Sequence, residues 1–121
     1  MIEPESIVDY ATAKSDAEGD YLYRLWRATE IYTVHGHMAS GHLQGRLLKM
    51  LVMMQRPRAI LEVGTFSGYS ALCMAEGLKE IAGQADKPYG ADKPRLYTFE
   101  LRLFIRFLQW GRMYPTARTI P

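Results

Sequence analysis

The sequence predicts an α/β domain built on a parallel sheet that is left incomplete. Three observations carry this. The periodic segments run in the order helix, helix, strand, helix, strand, and two strands joined through a helix pair in parallel. The segment "AILEV" is a short apolar run bounded by Pro57 and Gly64, and "RLYTFE" resumes a strand after Pro94. Between them, "AILEVGTFSGYSALCMAEGL" passes from an apolar strand through a glycine-bearing turn into an amphipathic segment. A hydrophobic content of 48% supplies enough apolar surface for a packed core.

Residues 1–16 carry the weakest pattern, a short, loosely held helix interrupted by Pro4 and charges. In "GDYLYRLWRATEIYTVHG", Tyr21, Leu22, Leu25, Trp26 and Thr29 recur at helical spacing, with Asp20 as the expected N-cap and Gly36 as the stop. The small-residue turn "MASG" leads into "HLQGRLLKMLVMM". There Leu43, Leu47, Leu48, Leu51 and Val52 make a broad apolar stripe, Ser40 is the expected cap, and Pro57 ends the helix. Residues 67–82 read as a helix with Tyr69, Leu72, Cys73, Ala75, Leu78 and Ile81 inward and Gly83 past its end. The segment "GQADKPYGADKP" repeats the tetrad "ADKP" among prolines and glycines, and is read as a surface loop. "RLYTFE" closes the series on Glu100.

A net charge of +2 points to neither nucleic acid nor an acidic partner. No apolar run approaches the ~20 residues of a membrane-spanning helix, and the acidic opening "MIEPESIVDYATAKSD" is unlike a secretory signal. A single cysteine, Cys73, permits no internal disulfide. The expected setting is the cytoplasm, with Cys73 buried and inert within its apolar helical stretch.

The turn carries the chemistry. At the carboxyl end of a strand it exposes backbone N–H groups at the start of a helix, and Gly64 and Gly68 are placed to let a ligand approach the main chain. A carboxylate ending the next strand can accept from both hydroxyls of a ribose, and Glu100 holds that place. It lies 36 positions after Gly64, against about 20 in the compact dinucleotide fingerprint; the "ADKP" loop accounts for the excess. A Walker loop requires Gly-Lys-Ser/Thr where this chain has Gly68-Tyr69-Ser70. A nucleophile elbow requires G-x-S-x-G, and "GTFSG" puts Ser67 one place late. The G-x-G-x-x-G pattern fails at Phe66, whose bulk disfavours a tightly held pyrophosphate. A nucleoside ligand without phosphates fits better.

"LEVGTFSGYSALCMAEGL", with "MASGHLQGRLLKML" before it and "LYTFE" after it, resembles the cation-dependent O-methyltransferases that act on catechols and caffeoyl-CoA-type substrates. The resemblance covers about residues 16–100, three blocks in one order. It implies S-adenosylmethionine as methyl donor, a divalent cation such as Mg²⁺, a phenolic acceptor, a homodimer, and a Rossmann-like domain with roughly twice the sheet-forming sequence present here. It also implies that Glu62, Gly64, Thr65 and Ser70 line the donor pocket, that Ser40 touches the methionine end, and that Glu100 holds the ribose.

Each residue has a plainer reading. Glu62 is a carboxylate in an apolar strand, costly unless hydrogen-bonded, and capping of a neighbouring helix is its plainer reading. Gly64 and Gly68 suit any tight turn, N-capping explains Ser40, Ser70 suits the first turn of a helix, and Glu100 suits the end of a strand. His35, His37 and His42 form an H-x-H-x4-H series without a cysteine or carboxylate to complete a metal site, and are read as loop and capping residues. Met50, Met53 and Met54 are read as core packing.

After Glu100 the resemblance ends. Residues 101–121 contain no Asp, Glu or Lys, carry Arg102, Arg106, Arg112 and Arg118, and are dense in aromatics. Leu101, Phe104, Ile105 and Leu108 allow a short amphipathic helix, and a basic aromatic segment suits a membrane surface or RNA. The preferred expectation is a non-family ending, through truncation or an altered reading frame. The metal and acceptor residues of the family have no counterpart here, since Asp86 and Asp92 sit in Asp-Lys-Pro turns. The division is thus a partial donor-binding domain over residues 1–100 and a non-family segment over 101–121. The alternative is a non-enzymatic module that binds a nucleoside or a partner subunit.

Overall fold

The computed structural model describes residues 6–84, 88–90 and 92–100. Their order is α1 (Ile7–Lys14), α2 (Asp20–Tyr32), a 3₁₀ turn (Gly36–Met38), α3 (His42–Gln55), β1 (Ala59–Val63), α4 (Tyr69–Ala82) and β2 (Arg95–Phe99). The two strands pair in parallel, in register from Ala59 opposite Arg95 to Val63 opposite Phe99. This is the β-α-β unit anticipated from the order of strand, glycine turn, helix and strand.

Local chemistry explains the boundaries. Ser6 caps α1, its hydroxyl oxygen accepting from the Asp9 N–H at 3.1 Å. Arg56 ends α3 in the left-handed region (φ 47°) just before Pro57. Gly83 ends α4, its N–H returning to the Lys79 carbonyl at 3.1 Å.

Two apolar clusters share α4. On one side Val52, Met74, Leu78, Ile81 and Tyr89 pack together, with Ile60 and Leu96 of the sheet against them. On the other, Leu22, Leu25, Tyr69 and Cys73 join α2 to the start of α4. Helices α3 and α4 approach closely where glycines face side chains. A Cβ built on Gly45 would lie 2.7 Å from Cys73 Sγ, and one on Gly77 would lie 3.0 Å from Val52 Cγ1. The opposite face of the sheet, formed by Leu61, Val63, Tyr97 and Phe99, is exposed.

Several details differ from the sequence reading. The N-caps of α2 and α3 are Gly19 and Gly41, without side-chain bonds, so Asp20 and Ser40 do not cap. Helix α2 ends at Tyr32, before Gly36, and α4 starts at Tyr69 because Gly68 is its N-cap, with φ 84°. Tyr21 on α2, Leu47 and Leu51 on α3, and Ala75 on α4 are exposed. Of the three methionines only Met53 packs on the core, while Met50 and Met54 are exposed. A helical stripe fixes which side faces inward, but two partner helices cover less of it than its width.

Candidate functional site

The turn between β1 and α4 concentrates unusual backbone. Gly64 (φ 95°), Phe66 (φ 47°) and Gly68 (φ 84°) are all in the left-handed region. Glycine adopts this without a Cβ clash, whereas Phe66 pays on the order of 1 kcal/mol. The strain is held by specific bonds. The Gly64 N–H donates to the Phe99 carbonyl at 2.7 Å, extending the ladder past β1, and the Gly68 N–H donates to the Thr65 carbonyl at 2.8 Å. The Phe66 N–H donates to Glu100 Oε2 at 2.7 Å, so the acid just after β2 is brought onto the turn after β1.

Beside this lies a polar cluster. Glu62 is opposite Thr98 in the register, and alternation along each strand turns both toward the same side of the sheet. The Glu62 carboxylate accepts from the Ser70 hydroxyl and from the Thr98 hydroxyl, the latter at 2.6 Å. Thr65 Oγ1 stands 2.5 Å from Thr98 Oγ1. Glu62 therefore has the hydrogen bonds that a carboxylate in a strand requires. No side chain caps α4. The glycine turn, a helix N-terminus and an acid at the next strand's end thus meet at the carboxyl edge of a parallel sheet, where α/β folds bind ligands.

Residues 12–85 match a family model described as O-methyltransferase. The chain belongs to the O-methyltransferase family. It is 37% identical over 59 residues to the O-methyltransferase ankF of Aspergillus thermomutatus, a match covering 49% of this chain and 24% of that protein. It is 31% identical over 77 residues to a caffeoyl-CoA O-methyltransferase of Stellaria longipes, covering 62% and 32%. The matches thus span about a quarter to a third of the curated relatives' length. Among solved structures, the SAH-bound Podospora anserina methyltransferase PaMTH1 is similar with a TM-score of 0.58 and 27% identity, over 77% of this chain and 47% of that one. The helices and two-stranded parallel sheet are accordingly part of a Rossmann-like methyltransferase fold.

Within this member of the O-methyltransferase family, Glu62, Gly64, Thr65, Ser70 and Glu100 are brought together by the contacts above, with Gly68 among them. Ser40 is half-buried between the 3₁₀ turn and α3, and no hydrogen bond joins it to the Glu62 cluster. Thr98 was not singled out from sequence, although its place two residues before Glu100 puts it on the same side of the strand. The bond from Tyr69 to Glu18 was also missed, since a pair 51 positions apart leaves no periodic trace.

Cys73 is fully buried, and burial pushes its thiol above the ordinary value, with the nearby Arg46 guanidinium opposing the shift. His42 Nε2 stands 2.6 Å from the Asp16 carbonyl oxygen, and the His35 and His37 rings meet edge to face. Asp92, in its turn, lies 3.6 Å from Arg58. Among the described residues no three His, Cys, Asp or Glu side chains are grouped to hold a metal ion, and no helix is long and apolar enough to cross a membrane. The expectations for Asp86 and for residues 101–121 lie outside the described residues.

Proposed function

We propose that this chain provides the methyl-donor site of an S-adenosylmethionine-dependent O-methyltransferase, with residues 1–100 as the donor-binding unit. The observation that carries this reading is the bond between the Phe66 N–H and Glu100, which sets the ribose-binding candidate beside the glycine turn. Family membership and the similarity to an SAH-bound methyltransferase support it. The fit of the residues supports it as well. Gly64 is exposed and nothing lies within 4 Å of a Cβ built on it, so a nucleoside can approach the main chain there.

In this reading Glu100 accepts from the ribose hydroxyls, Gly64 and Thr65 line the pocket through the main chain, and Ser40 touches the methionine end. Glu62 and Ser70, bonded to each other, complete the wall on the α4 side. When bound, the donor would supply a sulfonium methyl: the acceptor hydroxyl would release its proton to solvent and its oxygen would bond to the methyl carbon as the carbon–sulfur bond breaks and S-adenosylhomocysteine leaves. The acceptor class is a catechol-like phenol. In the family reading a divalent cation lowers the pKa of that hydroxyl. The described residues do not group into a cation site.

Calorimetry with S-adenosylmethionine, S-adenosylhomocysteine and NAD tests the reading. Binding of the first two without NAD is expected. Binding of NAD alone overturns the donor assignment.

A second reading, a subunit-interaction module, is favoured by the exposed apolar face of Leu61, Val63, Tyr97 and Phe99. Concentration-dependent association in sedimentation, with no nucleoside bound, would favour it over the first.

A further inference from the structure

Tyr69 directly follows Gly68 and opens α4, and its side chain is fully buried among Leu22, Leu25 and Cys73. Its hydroxyl donates to Glu18 Oε2 at 2.5 Å. Without that acceptor a buried hydroxyl would be unpaired, at a cost of roughly 1–3 kcal/mol. Glu18 is half-buried and lies in the link between α1 and α2, just before Gly19. The same link is tied a second time, two residues earlier. The Asp16 carbonyl can only accept, so His42 Nε2 is the donor in the 2.6 Å contact between them. Residues 16–18 are therefore fastened to the first residue of α3 and the first residue of α4. Helix α1 buries no residue of its own, and Ile7, Val8 and Tyr10 are exposed. Gly45 confines the Tyr69 ring from the α3 side, since a Cβ there would lie 2.9 Å from Tyr69 Cε1. A displaced Tyr69 would thus carry Gly68 and the turn with it, rather than turn aside in its pocket.

We propose that Glu18 and Tyr69 form a latch coupling the link between α1 and α2 to the methyl-donor turn, with Glu18 acting through Tyr69 as a positioning residue for that turn. The coupling stands on the geometry alone; its effect on donor binding rests on the function proposed above.

Hydrogen–deuterium exchange on the full chain, without ligand, tests the coupling. Tyr69→Phe keeps the ring and removes the donor. It should raise exchange by at least about threefold in both residues 15–19 and residues 64–70, with α3 and the strands unchanged. Glu18→Ala should reproduce this, and Glu18→Gln, which retains an acceptor oxygen, should restore the wild-type pattern. A rise in only one segment, in neither, or uniformly along the chain overturns the latch.

The second arm is calorimetry with S-adenosylhomocysteine. Tyr69→Phe and Glu18→Ala should weaken binding by about three- to tenfold, and Glu18→Gln should not. Unchanged affinity in the first two variants overturns the positioning role. A wild-type chain that binds none overturns the donor reading instead, and the exchange result then decides the latch by itself.

Discussion

The backbone N–H of Phe66 donates to the carboxylate of Glu100 across 2.7 Å, joining the turn after β1 to the end of β2. The bond fixes the acid at the height of the glycine turn and supports the left-handed conformation of Phe66. In the proposed function the same carboxylate faces the ribose. Glu100→Ala is therefore expected to weaken S-adenosylhomocysteine binding by roughly 10- to 100-fold, since hydrogen bonds to charged groups contribute about 1.5–3 kcal/mol. Glu100→Gln, which keeps an acceptor without the charge, should lose less. Calorimetry on the two variants checks this, and equal affinities for Glu100→Ala and wild type would remove Glu100 from the site.

What the sequence disclosed follows from the range of each interaction. Strand β1 lies where "AILEV" puts it, because a short apolar run between Pro57 and Gly64 has few alternatives. Glu62 was recognisable as a residue in need of partners, and Ser70 eight positions later supplies one within the same β-α unit. Partners from further away were not legible. Thr98 is 36 positions from Glu62, and Glu18 is 51 from Tyr69, so only the folded register and packing bring them together. The caps failed for a related reason. Asp20 and Ser40 have the right chemistry for capping, but small glycines occupy both cap positions. The exposed Leu47, Leu51 and Met54 show that periodicity names a face without saying how much of it is covered.

Glycines at the α3–α4 contact should be intolerant of a single methyl group. A Cβ at Gly45 would meet Cys73 Sγ at 2.7 Å and the Tyr69 ring at 2.9 Å, both fully buried. One at Gly77 would meet Val52 side-chain atoms at 3.0 and 3.2 Å and the Lys49 carbonyl at 3.1 Å. Overpacking of this kind costs about 1–3 kcal/mol, and Gly45→Ala should be the worse because its first neighbour is nearer. Gly83→Ala is the control. Its nearest neighbour is 3.5 Å away and its φ of −81° suits any residue, so it should be neutral or stabilising by up to about 1 kcal/mol. Urea denaturation of the three variants gives the order directly.

Stability should fall in alkali. Burial pushes the Cys73 thiol above its ordinary 9.0, with Arg46 opposing, and burial followed by the bond to Glu18 pushes the Tyr69 phenol above its ordinary 10.0. Once the pH exceeds those ordinary values, the unfolded chain releases protons that the folded chain retains. The unfolded state then binds fewer protons, and stability decreases with rising pH by up to about 1.4 kcal/mol per unit for each group. The contribution is fully present below pH 9.0 for the thiol and 10.0 for the phenol, and is lost progressively above them. Denaturation midpoints should therefore drop between about pH 9 and pH 11. Cys73→Ala should show a shallower decline over the same interval, and an identical slope would contradict the assignment.

Arg46 and Glu76 link α3 to α4 by a bond whose removal should be costly on one side only. Arg46 Nη2 donates to Glu76 Oε2 at 3.0 Å; the arginine side chain is 10% exposed, and its Nε is buried without a partner. With Glu76 gone, the contact that remains at Nη2 is Cys73 Sγ at 3.8 Å, a weak acceptor. Glu76→Ala should thus cost about 1–3 kcal/mol, most of it from the stranded guanidinium. Lys49 also approaches Glu76, at 3.7 Å, but keeps its pairing with Glu80. Removing both members through Arg46→Met with Glu76→Ala should recover much of the loss, because replacing a buried ion pair by apolar side chains is often neutral or stabilising. A double-mutant cycle by urea denaturation should return a coupling of at least about 1 kcal/mol. A coupling near zero would mean that α3 and α4 are held by their apolar and glycine contacts alone.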